Sequence, residues 1–182
     1  MVQELKGRQL RYMVHTERVN SAISLVGIAF IIITYMSSSS FRKPINRLIF
    51  FASWGNIGSN VASIISAAGP LSAAKHEPAY SPLCQIQAFL VQMFLAVDCY
   101  WAFCMAVNVY LVFFRGYDTD RLKALDTKYL IACYGLSFIP ALVFLFVTNN
   151  TRGHMYGPAV LWCWITPNWD FMRIVFLYGI VW

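Results

Sequence analysis

LCQIQAFLVQMFLAVDCYWAFCMAVNVYLVFF, residues 83–114, is a run of 32 residues whose single charged side chain is Asp98. About twenty apolar residues, rising 1.5 Å each in a helix, cross the hydrocarbon layer of a bilayer. This run would be roughly 48 Å long as a helix, longer than a bilayer with its headgroups, so it must tilt or project into water. Three further runs carry no charge at all: residues 19–36, 48–68 and 129–148. A fifth opens near Trp169 and is still apolar at Trp182. Backbone that faces lipid must satisfy its own peptide groups, which makes each run a helix. The expected fold is an all-α membrane protein, a transmembrane helix bundle with spans at about 19–36, 48–68, 83–114, 129–148 and, incomplete, 169–182.

Composition agrees with a bilayer as solvent. Of the 182 residues 59% are apolar and 12% charged, which disfavours a water-soluble globule. The net charge of +6 is scattered in short clusters between apolar runs and forms no continuous stripe, so nucleic acid is not an expected partner and the lipid bilayer is. Residues 1–18 are polar and hold no signal-peptide core, so the first run is expected to act as its own insertion signal.

Orientation follows from the basic residues. The connections Ser37–Arg47 and Arg115–Lys128 carry Arg42, Lys43, Arg47, Arg115, Arg121, Lys123 and Lys128, against Lys75 and Arg152 in the connections Gly69–Pro82 and Asn149–Asn168. Positive charge stays inside, so the first and third connections are expected in the cytoplasm and residues 1–18 form an extracellular tail. Lys6, Arg8, Arg11 and Arg18 in that tail argue the other way, and the agreement of two loops outweighs them. Asn149-Asn150-Thr151 is a glycosylation sequon on the expected outer side, making Asn149 the candidate acceptor.

No catalytic residues, metal spacing or cofactor loop can be picked out; His15, His76 and His154 fall in the tail and loops. Polar groups inside the spans are the candidates for function, because they cost energy in lipid and normally face a bundle interior. Ser53, Asn56, Asn60 and Ser63 recur at helical spacing on one face of the second run. Gln87 and Asp98 are eleven residues apart, three turns on one face of the third, with Gln85 and Gln92 on another. Asp98, expected beside Asn56 or Asn60, reads equally as a ligand or switch contact and as a structural hydrogen-bond hub with Asn108. Arg173, in the fifth run, either pairs with an acid or reaches to the interface. Gly55 with Ser59 and Gly58 with Ala62 are small pairs four apart, suited to close helix packing. Cys84 and Cys163 sit at run edges on the same expected side, where an oxidising exterior permits a bridge.

Several segments together resemble the cyclic-AMP-receptor-like G-protein-coupled receptors of slime moulds and their fungal relatives. They are Glu17-Arg18, Arg42-Lys43-Pro44-Ile45-Asn46-Arg47-Leu48-Ile49, Cys84-Gln85-Ile86-Gln87-Ala88-Phe89, Asn108-Val109-Tyr110-Leu111, Trp162-Cys163-Trp164-Ile165, and Trp169, Arg173, Tyr178 and Trp182. The resemblance implies helices one to five of a seven-helix receptor in the plasma membrane, with its amino terminus outside. It implies that the protein senses an extracellular small molecule and activates a heterotrimeric G protein, and that Cys84 is bridged to Cys163. Gln87, Asp98, Asn56, Asn60 and Arg173 become ligand or switch candidates, and Arg115, Arg121, Lys123 and Lys128 the face toward the G protein.

The third run ends Tyr110-Leu111-Val112-Phe113-Phe114-Arg115, without the acidic-Arg-Tyr triplet of rhodopsin-like receptors, so that group's switch does not transfer. A fragment lacking helices six and seven is expected not to signal by itself. The competing expectation is a small-solute or ion transporter or channel subunit, favoured by Asp98 and the polar face of the second run; broken helices or internal repeats, which would support it, are not found. A membrane enzyme would need paired carboxylates or histidines within the spans.

Overall fold

The structure, a computed structural model, describes residues 7–66, 81–159 and 162–179. The helices are α1 (Gly7–Ser37), α2 (Pro44–Ser66), α3 (Pro82–Arg115), α4 (Thr119–Phe146) and α5 (Asp170–Tyr178), with a single 3-10 turn at Ser39–Phe41 between the first two. Four of them, α1 to α4, are long and apolar enough to cross a membrane. The protein is an all-α membrane helix bundle, as its apolar runs require.

Local chemistry sets the helix ends. The Ser81 side chain accepts the Cys84 N–H and Pro82 occupies the first turn of α3, where a missing N–H costs nothing. At the other end Gly116 adopts φ 60°, the left-handed conformation that closes helices, and the N–H groups of Gly116 and Tyr117 both return to the Leu111 carbonyl. Asp118 then caps α4 by accepting the Arg121 N–H at 3.0 Å. Between α4 and α5 the chain makes two small antiparallel hairpins, β1 (Thr148–Asn149) with β2 (Gly153–His154) and β3 (Tyr156–Pro158) with β4 (Cys163–Ile165).

α3 is the central helix, packed against α2 and α4, while α1 packs against α2. Side chains such as Phe30, Phe103, Phe113 and Phe146 point out of the bundle, as a hydrocarbon solvent allows. Gly58 lies against the ring of Phe94 so closely that a β-carbon there would collide with it, and one on Gly55 would come within 2.8 Å of Val97 Cγ1. Both glycines let α2 and α3 approach, the role expected of small residues in lipid.

The helices overrun the uncharged stretches. α1 begins at Gly7 and not near Val19, so much of the expected tail is helical; α4 begins at Thr119 and not near Tyr129, which shortens the third connection to residues 116–118. Charged side chains end a stretch of hydropathy but not a helix, which continues wherever water or headgroups can solvate them. Residues 1–6, most of the second connection including Lys75 and His76, and residues 180–182 of the fifth run lie outside the described residues.

Candidate functional site

The long connection after α4 is a packed lid over the first turns of α3. Tyr156, Cys163 and Ile165 are fully buried, and Met155 and Trp164 nearly so, in one cluster with Cys84, Ala88 and Phe144. Three glutamines on α3 hold the lid. Gln85 Nε2 donates to the Tyr156 carbonyl at 2.9 Å, Gln87 Oε1 accepts the Cys163 N–H at 3.1 Å, and Gln92 Oε1 accepts Trp164 Nε1–H at 2.8 Å. The Cys84 and Cys163 sulfurs are at bonding distance, with α-carbons 5.3 Å apart. The Tyr156 hydroxyl donates to the Ala141 carbonyl at 3.1 Å, one residue past Pro140 in α4. Burial pushes its ionisation well above the ordinary tyrosine range, so it stays a donor at any physiological pH.

Beside the lid are two adjoining cavities. One of about 290 Å³ lies between α1, α2, α3, α5 and the lid, lined among others by Glu17, Ser59, Ser63, Trp162 and Trp164. The other, about 740 Å³ and more open, runs along α1 past Tyr12, Thr16 and Asn20 to Asn60 and shares Glu17 and Trp162 with the first. The Ser63 side chain is in hydrogen-bonding contact with the Glu17 carboxylate.

The expected site residues divide among different places. Asn60 reaches the larger cavity, although its amide donates to the Asn56 carbonyl at 2.7 Å, and Asn56 donates to the Ala52 carbonyl at 3.2 Å. Asp98 lies deeper: its Oδ1 stands against Gly55, near the Tyr134 hydroxyl, and has no hydrogen-bond partner among the described residues. Its expected neighbours, Asn56 and Asn60, bond to their own helix because asparagine on a helix reaches a preceding carbonyl more readily than another helix. Gln87 is fully buried under the lid. Arg173 donates to Asp170 Oδ1 at 3.3 Å with its guanidinium 5.8 Å from the centre of the Trp164 ring, so it meets both an acid and the lid.

At the opposite end the two basic connections come together. Arg47 at the start of α2 and Asp126 near the start of α4 form an ion pair with side chains 10% and 11% exposed. One turn deeper the Tyr129 hydroxyl donates to Asn108 Oδ1 at 3.0 Å. Arg115, Arg121, Lys123 and Lys128 are all exposed around this pair. Sequence reasoning counted Arg47 as a topology charge and as part of a resemblance, and overlooked Asp126. An acid within a basic stretch at a helix start was the available signal. Glu17 was likewise read only as part of a resemblance, although a carboxylate inside a helix that runs on into lipid needs a reason.

The protein is a multi-pass helical bundle whose longest described connection is folded back as a lid over α3, with two cavities beside it. The family model described as slime mold cyclic AMP receptor matches residues 8–182. The chain is also similar to cyclic AMP receptor-like protein A of Dictyostelium discoideum, 21% identical over 165 residues, which is 89% of this chain and 39% of that relative. The chain belongs to the slime mold cyclic AMP receptor family, and it spans about two fifths of the length of the curated relative it matches.

Proposed function

We propose that this protein works as a G-protein-coupled receptor of the plasma membrane, sensing an extracellular small molecule at the lidded end and engaging a heterotrimeric G protein at the basic end, without catalysis. The observation that carries this reading is the lid held over α3 by Gln85, Gln87 and Gln92 with cavities opening beside it, in a chain of this family. The two expected cytoplasmic connections lie at one end, joined through Arg47 and Asp126, and the sequon lies at the other, which supports the orientation. Membranes from cells expressing the full-length gene, in place of residues 1–182 alone, are tested for stimulated nucleotide exchange on added G protein, with cyclic AMP and fractionated growth medium as stimuli. Exchange above that of non-expressing membranes is expected; no increase with any stimulus overturns the reading.

The same reading makes the Cys84–Cys163 bond a feature of the mature protein and Asn149 a glycan acceptor. Thr151 already donates to Asn149 Oδ1 from both its hydroxyl, at 2.9 Å, and its N–H, at 3.0 Å, in an exposed turn. One preparation of surface protein checks both. Cys84 and Cys163 should be alkylated only after reduction, and a glycosidase should increase mobility in the native chain but not in Asn149→Gln. Two free thiols would remove the bond, and a tag at residues 116–118 labelled from outside intact cells would invert the orientation.

A further inference from the structure

Among the described residues, Glu17 is the one charged side chain lining the two cavities beside the lid. Among the described residues it makes none of the three ion pairs, which are Arg47 with Asp126, Lys123 with Asp120, and Arg173 with Asp170. Ser63 contacts its carboxylate, Trp162 lines both cavities, and Trp164 lines the enclosed one. A carboxylate that shares a cavity with two indoles, with hydroxyls and an amide also in the lining, is complementary to a positive charge: the acid attracts it directly and an aromatic face does so through its quadrupole. An anionic ligand would instead meet a carboxylate with no base among the described residues lining the same cavities, and like charges repel where water is sparse. Arg173 stands 5.8 Å from the centre of the Trp164 ring, but it lines neither cavity and its charge is met by Asp170. The smaller cavity, about 290 Å³, is at the lower end of the range for small-ligand sites and shares Glu17 and Trp162 with the larger one.

We propose that the cavities around Glu17 bind a small organic ammonium ion, its charged head at the Glu17 carboxylate and its apolar body against Trp162 and Trp164. The inference rests on the receptor reading for its biological sense, but its chemistry does not need a G protein, and neither does its test. Purified protein in lipid nanodiscs is equilibrated by dialysis with labelled 2-phenylethylammonium, choline, 2-phenylethanol and phenylacetate. The expected result is saturable binding of at least one of the two cations, about tenfold or more tighter than the neutral and anionic compounds. Glu17→Gln should remove that preference and Glu17→Asp should keep most of it, in samples that elute as the native protein does. The matched compounds test the native protein even where a variant fails to fold. Absence of binding by both cations, equal binding of phenylacetate, or a preference that survives Glu17→Gln overturns the proposal. Any of these leaves the receptor reading to the nucleotide-exchange experiment, and a failure there leaves the dialysis result standing.

Discussion

Arg47→Ala is expected to lower stability by about 3–5 kcal/mol, because it leaves the Asp126 carboxylate buried without its counter-charge. The side chains of Arg47 and Asp126 are 10% and 11% exposed, and they join the first turn of α2 to α4 about two turns in from Thr119, where the bundle meets the basic connections. Asp126→Ala should cost a similar amount by orphaning the guanidinium. The pair itself need not add net stability, since removing two charges from water costs much of what their attraction returns. Arg47→Met combined with Asp126→Leu should therefore recover most of the loss. The check is the thermal midpoint of the purified protein in detergent, followed by tryptophan emission. Single variants as stable as the native chain would show that the pair is solvated in the membrane.

Gly58→Val should be the other severe change. A β-carbon at Gly58 would fall on the Cδ2, Cε2 and Cζ atoms of Phe94, and valine adds two methyl groups beyond it. The ring cannot swing away as a flexible side-chain tip would, so α2 must move off α3, at a cost of about 1–3 kcal/mol or more. Phe94→Ala in the same chain should restore much of the folded yield by removing the obstacle, which distinguishes a packing clash from a general intolerance of valine. Unchanged yield and midpoint in Gly58→Val alone would mean that the two helices are not packed this closely.

The bundle was legible because lipid imposes a strong rule: residues 83–114 could hardly be anything but a helix. Helix ends were less legible. Hydropathy marks where side chains stop being apolar, whereas α1 and α4 begin at Gly7 and Thr119 because caps and solvated charges let helices continue into water. Gln85, Gln87 and Gln92 were noticed as polar groups in a span, but helical spacing separated them into two faces. Their common role emerges only when β3 and β4 fold back on α3, and contacts over 71 to 76 residues of chain leave no local periodicity. Asp98 was recognised by its cost in lipid, and its Oδ1 stands against Gly55 on α2, while the amides of Asn56 and Asn60 donate to carbonyls of their own helix. Asp126 escaped notice because a charge at the edge of a hydropathy run looks like solvent.

The polar face of α2 has a mechanical corollary. Ser53, Asn56, Ser59 and Asn60 each donate to a carbonyl of their own helix, those of Ile49, Ala52, Asn56 and Asn56. A sliding or rolling of α2 along α3 leaves all four bonds intact and is resisted at that seam by side-chain interlocking, as at Gly58 and Phe94, while α2 is tied to α4 by the Tyr134 hydroxyl on the Phe51 carbonyl and by Arg47 with Asp126. The lidded end of α3 is restrained differently, by three glutamine bonds at fixed lengths. The seam between α2 and α3 is thus a greased bearing beside a bolted plate, the place where a small shear can pass without opening any of these four bonds.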